Sequence, residues 1–158
     1  MPTAARVASI LTMVLATLAV AACGGADETE QKNAYVRQVN AVQSEFASNV
    51  TTVSSAITAK SSAKEDRASL RRFEAAIKDV VGDLEKIDVP EGVMSEHRQL
   101  VAAMNAFGTG IASANAALRD PTTRTLDLAQ QRISSATQTV NTKIDAAIAA
   151  INTKLGAS

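Results

Sequence analysis

The segment Leu70-Arg71-Arg72-Phe73-Glu74-Ala75-Ala76-Ile77-Lys78-Asp79-Val80-Val81-Gly82-Asp83-Leu84-Glu85-Lys86-Ile87 has bulky apolar residues at 70, 73, 77, 80, 84 and 87. Steps of three and four without a miss put all six on one narrow stripe of a helix, the seam expected of a bundle. Upstream, Ser62 followed three residues later by Glu65 reads as a capping box, which fixes where this helix starts. Downstream, Asp88-Val89-Pro90-Glu91-Gly92 reads as a turn.

The same period extends in both directions. Tyr35, Val39, Val42, Phe46, Val50, Val53 and Ile57 form one stripe of an expected first helix from about Thr29 to Ala59, broken by Lys60-Ser61-Ser62-Ala63. A third helix begins with Pro90 in its first turn and carries Val93, His97, Leu100, Met104, Phe107, Ile111, Ala114 and Leu118. Gly108 and Gly110 weaken its middle and suit close approach of a neighbour or a slight bend. Arg119-Asp120-Pro121 ends it. Asp120 is expected to cap a fourth helix, with Pro121 in the first turn. That helix reads Leu126, Ala129, Ile133, Val140, Ile144, Ala147, Ile151 and Leu155, diluted by Ser134, Ser135, Thr137 and Thr139. Four striped helices with short connections predict an all-α, antiparallel up-down-up-down four-helix bundle over residues 29–158.

The N-terminal part reads differently. After Arg6, residues 7–22 carry no charge, and the polar, acidic segment with Asp27, Glu28 and Glu30 follows closely. The apolar run is short for a membrane span, which needs roughly 20 residues, and suits a signal peptide. Residues 1–22 are therefore expected to be removed, and residues 23–28 to act as a flexible tether. Cys23 is the only cysteine, so no internal disulfide forms. The 16 basic and 16 acidic residues balance, and only Arg6 among them falls in the signal. A near-neutral chain gives no argument for a nucleic-acid partner, which demands a concentrated positive field.

Val20-Ala21-Ala22-Cys23 resembles the lipobox that ends bacterial lipoprotein signal peptides. The resemblance implies cleavage between Ala22 and Cys23 and a diacylglyceryl anchor on the Cys23 sulfur. The protein would then sit on the cell membrane, facing the extracytoplasmic side. Two acyl chains suffice for stable anchoring at ~0.8 kcal/mol per buried CH₂. A second resemblance covers the first three helices. Tyr35-Val36 with Val39-Asn40, Ile87-x-x-Pro90, and His97-Arg98-x-Leu100-Val101 are similar to small alanine-rich lipoproteins of actinobacteria. It implies a helical fold and brings no activity.

The chemical candidates are few. His97 is the only histidine, and Met94 and Met104 lie on the same expected helix. Together they suggest a soft-metal site. The competing reading is two core methionines and a histidine at the bundle edge. No other expected helix supplies histidine, methionine or cysteine, so no metal or other cofactor is expected. A di-iron pattern fails because position 94 is methionine rather than glutamate. Gly108-x-Gly110-x-x-Ser113 lacks both the third glycine and the preceding strand of a dinucleotide loop. No Gly-x-Ser-x-Gly is present, and carboxylates such as Glu74 sit beside lysines such as Lys78. The expectation is a protein that is not an enzyme.

Charge is the remaining signal. Lys60, Lys64, Arg67 and Arg71, with Arg72, surround the first connection, and Arg119 and Arg124 flank the third. In the expected topology both lie at the end far from the membrane. The anchored end holds Asp27, Glu28, Glu30, Asp83, Glu85, Asp88 and Glu91 against Lys32, Lys86 and Lys154. A basic distal tip suits an anionic partner, such as an envelope protein or a cell-wall polymer. The leading expectation is a lipid-anchored, non-catalytic binding or scaffolding protein. The alternative is a carrier of a small apolar ligand or lipid, held where short side chains on the third and fourth helices leave room.

Overall fold

The structure, a computed structural model, describes residues 26–58 and 60–156. The expected signal peptide, Ala22 and Cys23 lie outside the described residues. Four α-helices form the described chain: α1 (Ala26–Ala56), α2 (Ala63–Glu85), α3 (Met94–Ala117) and α4 (Thr123–Leu155). A single 3₁₀ turn, Glu91–Val93, leads into α3. No strand occurs among the described residues. Consecutive helices pack on one another, with α3 and α4 sharing the most extensive interface.

The expected stripes form the core. All six α2-stripe positions are buried, as are those of α3. Val42 of α1 is partly buried. Leu126 is the exception on α4, at 39% exposed. Val36, Val81, Ala103 and Ile148 widen the stripes beyond the minimal seam. The capping box of α2 is present: the Ser62 hydroxyl accepts from the Glu65 N–H, and the Glu65 carboxylate accepts from the Ser62 N–H. Hydroxyl residues do not break α1, because Thr51, Thr52 and Ser55 donate back to carbonyls four residues earlier.

The helix ends depart from expectation in three places. The first helix starts at Ala26 rather than Thr29, so the last part of the expected tether is helical. Asp27 and Glu28 lie in its first turn, where the helix dipole favours negative charge. Pro90 precedes the 3₁₀ turn rather than joining the first turn of α3, and its carbonyl accepts from Val93 N–H. Thr122, not Asp120, caps α4, which leaves Pro121 outside the helix. Thr122 and Thr125 bond reciprocally, and the Thr125 hydroxyl also donates to the Asp120 carbonyl at 2.6 Å. Asp120 thus contributes its backbone, and its side chain caps nothing.

Two features hold the middle together. Phe46, Phe73 and Phe107, from three different helices, have ring centroids 5.8–6.0 Å apart. One pair is stacked and two meet edge to face. Such pairs contribute ~0.5–1.5 kcal/mol each beyond burial. Three residues further along α3, Gly110 lies against α4 so closely that an added Cβ would stand 2.5 Å from the Ala136 Cβ. At Gly108 a Cβ would meet only the Ile77 Cγ2, at 3.2 Å.

Chemical denaturation should separate these contributions. Phe73→Ala is expected to lose ~3–5 kcal/mol of stability. Gly110→Ala should lose ~1–3 kcal/mol through overpacking against backbone-tied Ala136, despite its better helix propensity. Gly108→Ala should be near neutral, because the Ile77 side chain can yield and the propensity gain offsets it.

Candidate functional site

The two ends of the bundle are chemically different. At one end the start of α1, the α2–α3 connection and the close of α4 meet around His97. At the other the α1–α2 and α3–α4 connections meet around a cavity.

At the histidine end, His97 is buried rather than placed at an edge. Its Nε2 stands 3.0 Å from the Leu84 carbonyl oxygen. A carbonyl only accepts, so Nε2 carries the proton. That leaves Nδ1 as the acceptor for the hydroxyl of fully buried Tyr35, at 3.2 Å. Leu84 lies in the last turn of α2, and its carbonyl also accepts from the Ile87 N–H at 3.2 Å, so His97 supplies it with a second donor. The Tyr35 and His97 rings also meet edge to face at 5.7 Å. Beside them, the Lys154 ammonium pairs with the Glu96 carboxylate at 2.9 Å and ties α4 to α3. Lys154 holds the Glu96 carboxyl below the usual carboxylate range.

This geometry removes the metal reading. Both His97 nitrogens are engaged within the protein. Met94 is 47% exposed whereas His97 and Met104 are buried, so the methionine one turn from His97 is not enclosed with it. The expectation of two core methionines is corrected as well: Met94, at the junction of the 3₁₀ turn and α3, is about half exposed and lies outside the core. Among the described residues, no group of three or more histidine, cysteine, aspartate or glutamate side chains is placed to hold a metal ion.

At the cavity end, a space of ≈ 200 Å³ is lined by apolar Ile57, Leu70, Leu118, Leu126, Ala129 and Ile133. Asp66 and Asp127 share the lining, and none of the expected tip cations does. Lys60, Lys64, Arg71, Arg119 and Arg124 are exposed, and Arg67 is partly buried. The side chains of these six make no ion pair or hydrogen bond among the described residues. Arg72 is engaged, donating to the Ser69 hydroxyl. The cations of the histidine end are mostly neutralised: Lys32 pairs with Glu28, Arg37 with Glu30, Lys86 with Asp83 and Lys154 with Glu96. Arg98 and Lys143 also stand unpaired, but singly. Asp66 and Asp127 escaped the sequence reading because acidic residues near a helix start read as ordinary dipole complements.

A second space, ≈ 360 Å³, is an open groove over α3 and α4 lined by small residues including Ala106, Gly110, Ser113, Ser135 and Ala136. The Arg132 guanidinium crosses between these helices to the Ser113 carbonyl at 2.8 Å. Lys78 lies 3.4 Å from Glu74, as its spacing suggested. Comparison of the chain with protein-family models, curated proteins and solved structures finds no match.

Burial holds the His97 imidazole below the usual histidine range. The unfolded chain therefore takes up a proton first, near its ordinary value of 6.5. The histidine's contribution to stability is complete above that pH and declines as pH falls through it. Denaturation series between pH 5 and 7 should show this decline, and His97→Leu should remove the slope. Tyr35→Phe should cost ~1–3 kcal/mol at pH 7 by leaving the buried Nδ1 without a donor.

Proposed function

We propose that this protein is a lipid-anchored, non-catalytic binding protein of the cell envelope, held at Cys23 and presenting its cavity end to an anionic partner. In this reading the four helices run up-down-up-down, with the histidine end toward the membrane. The observation that carries it is the distribution of unpaired cations. Six stand at one end with no carboxylate in ion-pair contact, whereas at the other end four are paired and Arg98 is not. Exposed, unpaired cations keep their full field for an outside partner, while paired ones do not.

Length supports the orientation. An α1 of 31 residues spans about 46 Å at 1.5 Å per residue. That separates the two ends by several Debye lengths at physiological salt. The acidic helix start is then nearest the anionic lipid, and the basic end is free of it. No described helix is long and apolar enough to cross a membrane. The ≈ 360 Å³ space where α3 and α4 meet is an open groove shared by polar Ser113, Gln131, Arg132, Ser135 and Thr139, which favours a binding surface at the end over an enclosed lipid chamber.

The test is binding of a soluble polyanion, such as polyglutamate, to the full chain in mild detergent. Lys60→Gln, Lys64→Gln, Arg119→Gln and Arg124→Gln combined should weaken binding at least tenfold. These exposed, unpaired positions should leave stability within about 0.5 kcal/mol. Neutralising Arg37 and Lys86 instead should leave binding unchanged. Equal effects from both ends would contradict the reading.

A further inference from the structure

The lining of the end cavity contrasts with the surface around it. Much of its wall is aliphatic, from Ile57 just after α1, Leu70 of α2, Leu118 just after α3 and Ile133 of α4, with polar Thr58, Ser61 and Gln130 beside them. It lies where the α1–α2 and α3–α4 hairpins meet, and α1 and α4 have no extensive interface of their own there. Asp66 of α2 and Asp127 of α4 bring two carboxylates to this apolar space, and no lysine or arginine lines it. Neither carboxylate has an ion-pair partner among the described residues, although six cations stand at the same end.

Asp66 is the better defined of the two. The Ser61 hydroxyl donates to its Oδ1 at 2.6 Å. Burial nevertheless pushes its carboxyl above the usual range, outweighing that bond, and neighbouring Glu65 pushes the same way. A desolvated carboxylate without a cation is unfavourable, and a cationic ligand would relieve it. Size narrows the ligand. An apolar cavity of about 150 Å³ takes up benzene, so ≈ 200 Å³ holds one ring or a short chain with a head group.

We propose that this cavity binds an organic monocation with a compact apolar body. The hydrocarbon part of an alkyl- or arylammonium would lie on Ile57, Leu70, Leu118 and Ile133, and its ammonium would reach Asp66 and Asp127. The group can come from a free amine or from the lysine side chain of a protein partner. This site is independent of the outward cations, which take no part in the lining.

The experiment titrates the full chain in mild detergent with benzylamine, following the Leu70 and Ile133 methyl resonances. Benzyl alcohol and benzoate serve as neutral and anionic matches, with partition into protein-free detergent subtracted. Benzylamine should give a saturable response, benzyl alcohol should bind at least tenfold more weakly, and benzoate should give none. Asp127→Asn, and its combination with Asp66→Asn, should weaken benzylamine progressively, the pair by at least tenfold. Asp127 is exposed and unpaired, so its variant should fold normally. Asp66→Asn removes a partly buried charge that also complements the start of α2. Its side-chain oxygen can still accept from Ser61, so the melting temperature should stay within a few degrees of the parent. The variant lacking Lys60, Lys64, Arg119 and Arg124 should bind benzylamine at least as well as the parent. A response to benzylamine alone assigns a free amine, and a matching response to N-acetyl-lysinamide assigns a partner's lysine. Absence of a saturable benzylamine response, an equal response to benzoate, or full binding by the double variant would overturn the proposal.

Discussion

Three phenylalanine rings must share one layer, and most of this structure follows from that. The chain has only three phenylalanines, and each comes from a different helix. Their contact fixes α1, α2 and α3 at one level of the bundle. The fourth helix is fixed three residues further along α3, where Gly110 gives way to Ala136. Aromatic bulk at Phe107 and a missing Cβ at Gly110 set α3 as the central element.

The two ends of the bundle solve different problems. The histidine end is closed. Tyr35, His97 and the Leu84 carbonyl satisfy one another's hydrogen bonds, and Glu96 and Lys154 join α3 to α4. Every group in this network has a partner inside the protein, which suits a structural seal. The cavity end is open. Its cations lack carboxylates, its two lining carboxylates lack cations, and Leu126 and Leu128 remain exposed. Charges held apart from one another in this way are available to something outside the chain. In the proposed orientation the closed end faces the membrane and the open end faces away from it.

The helical architecture was legible in the sequence because its signal is periodic. Leu70 to Ile87 alternates in steps of three and four, and every stripe position on α2 is buried. The Ser62–Glu65 capping box was legible for the same reason, being local. What needed the third dimension was not. Tyr35 and His97 are 62 residues apart, so their hydrogen bond left no local mark. The cap of α4 was misplaced because Asp120 and Thr122 are both good capping residues, and only the reciprocal bond with Thr125 decides between them. Met94 fell on the expected apolar face, but the 3₁₀ turn before it shifts the start of α3. The basic residues of the tip were legible as charge. That they avoid the cavity, and that Asp66 and Asp127 enter it, depends on how the two hairpins meet.

The account depends most on where the chain is held, since the anchor decides which end faces outward. The direct measurement is the intact mass of the protein extracted from native membranes under denaturing conditions. The account predicts a chain that begins at Cys23, with residues 1–22 absent and a diacylglyceryl group on the sulfur. A chain retaining residues 1–22, or an unmodified Cys23, would contradict the anchor and with it the orientation of the bundle.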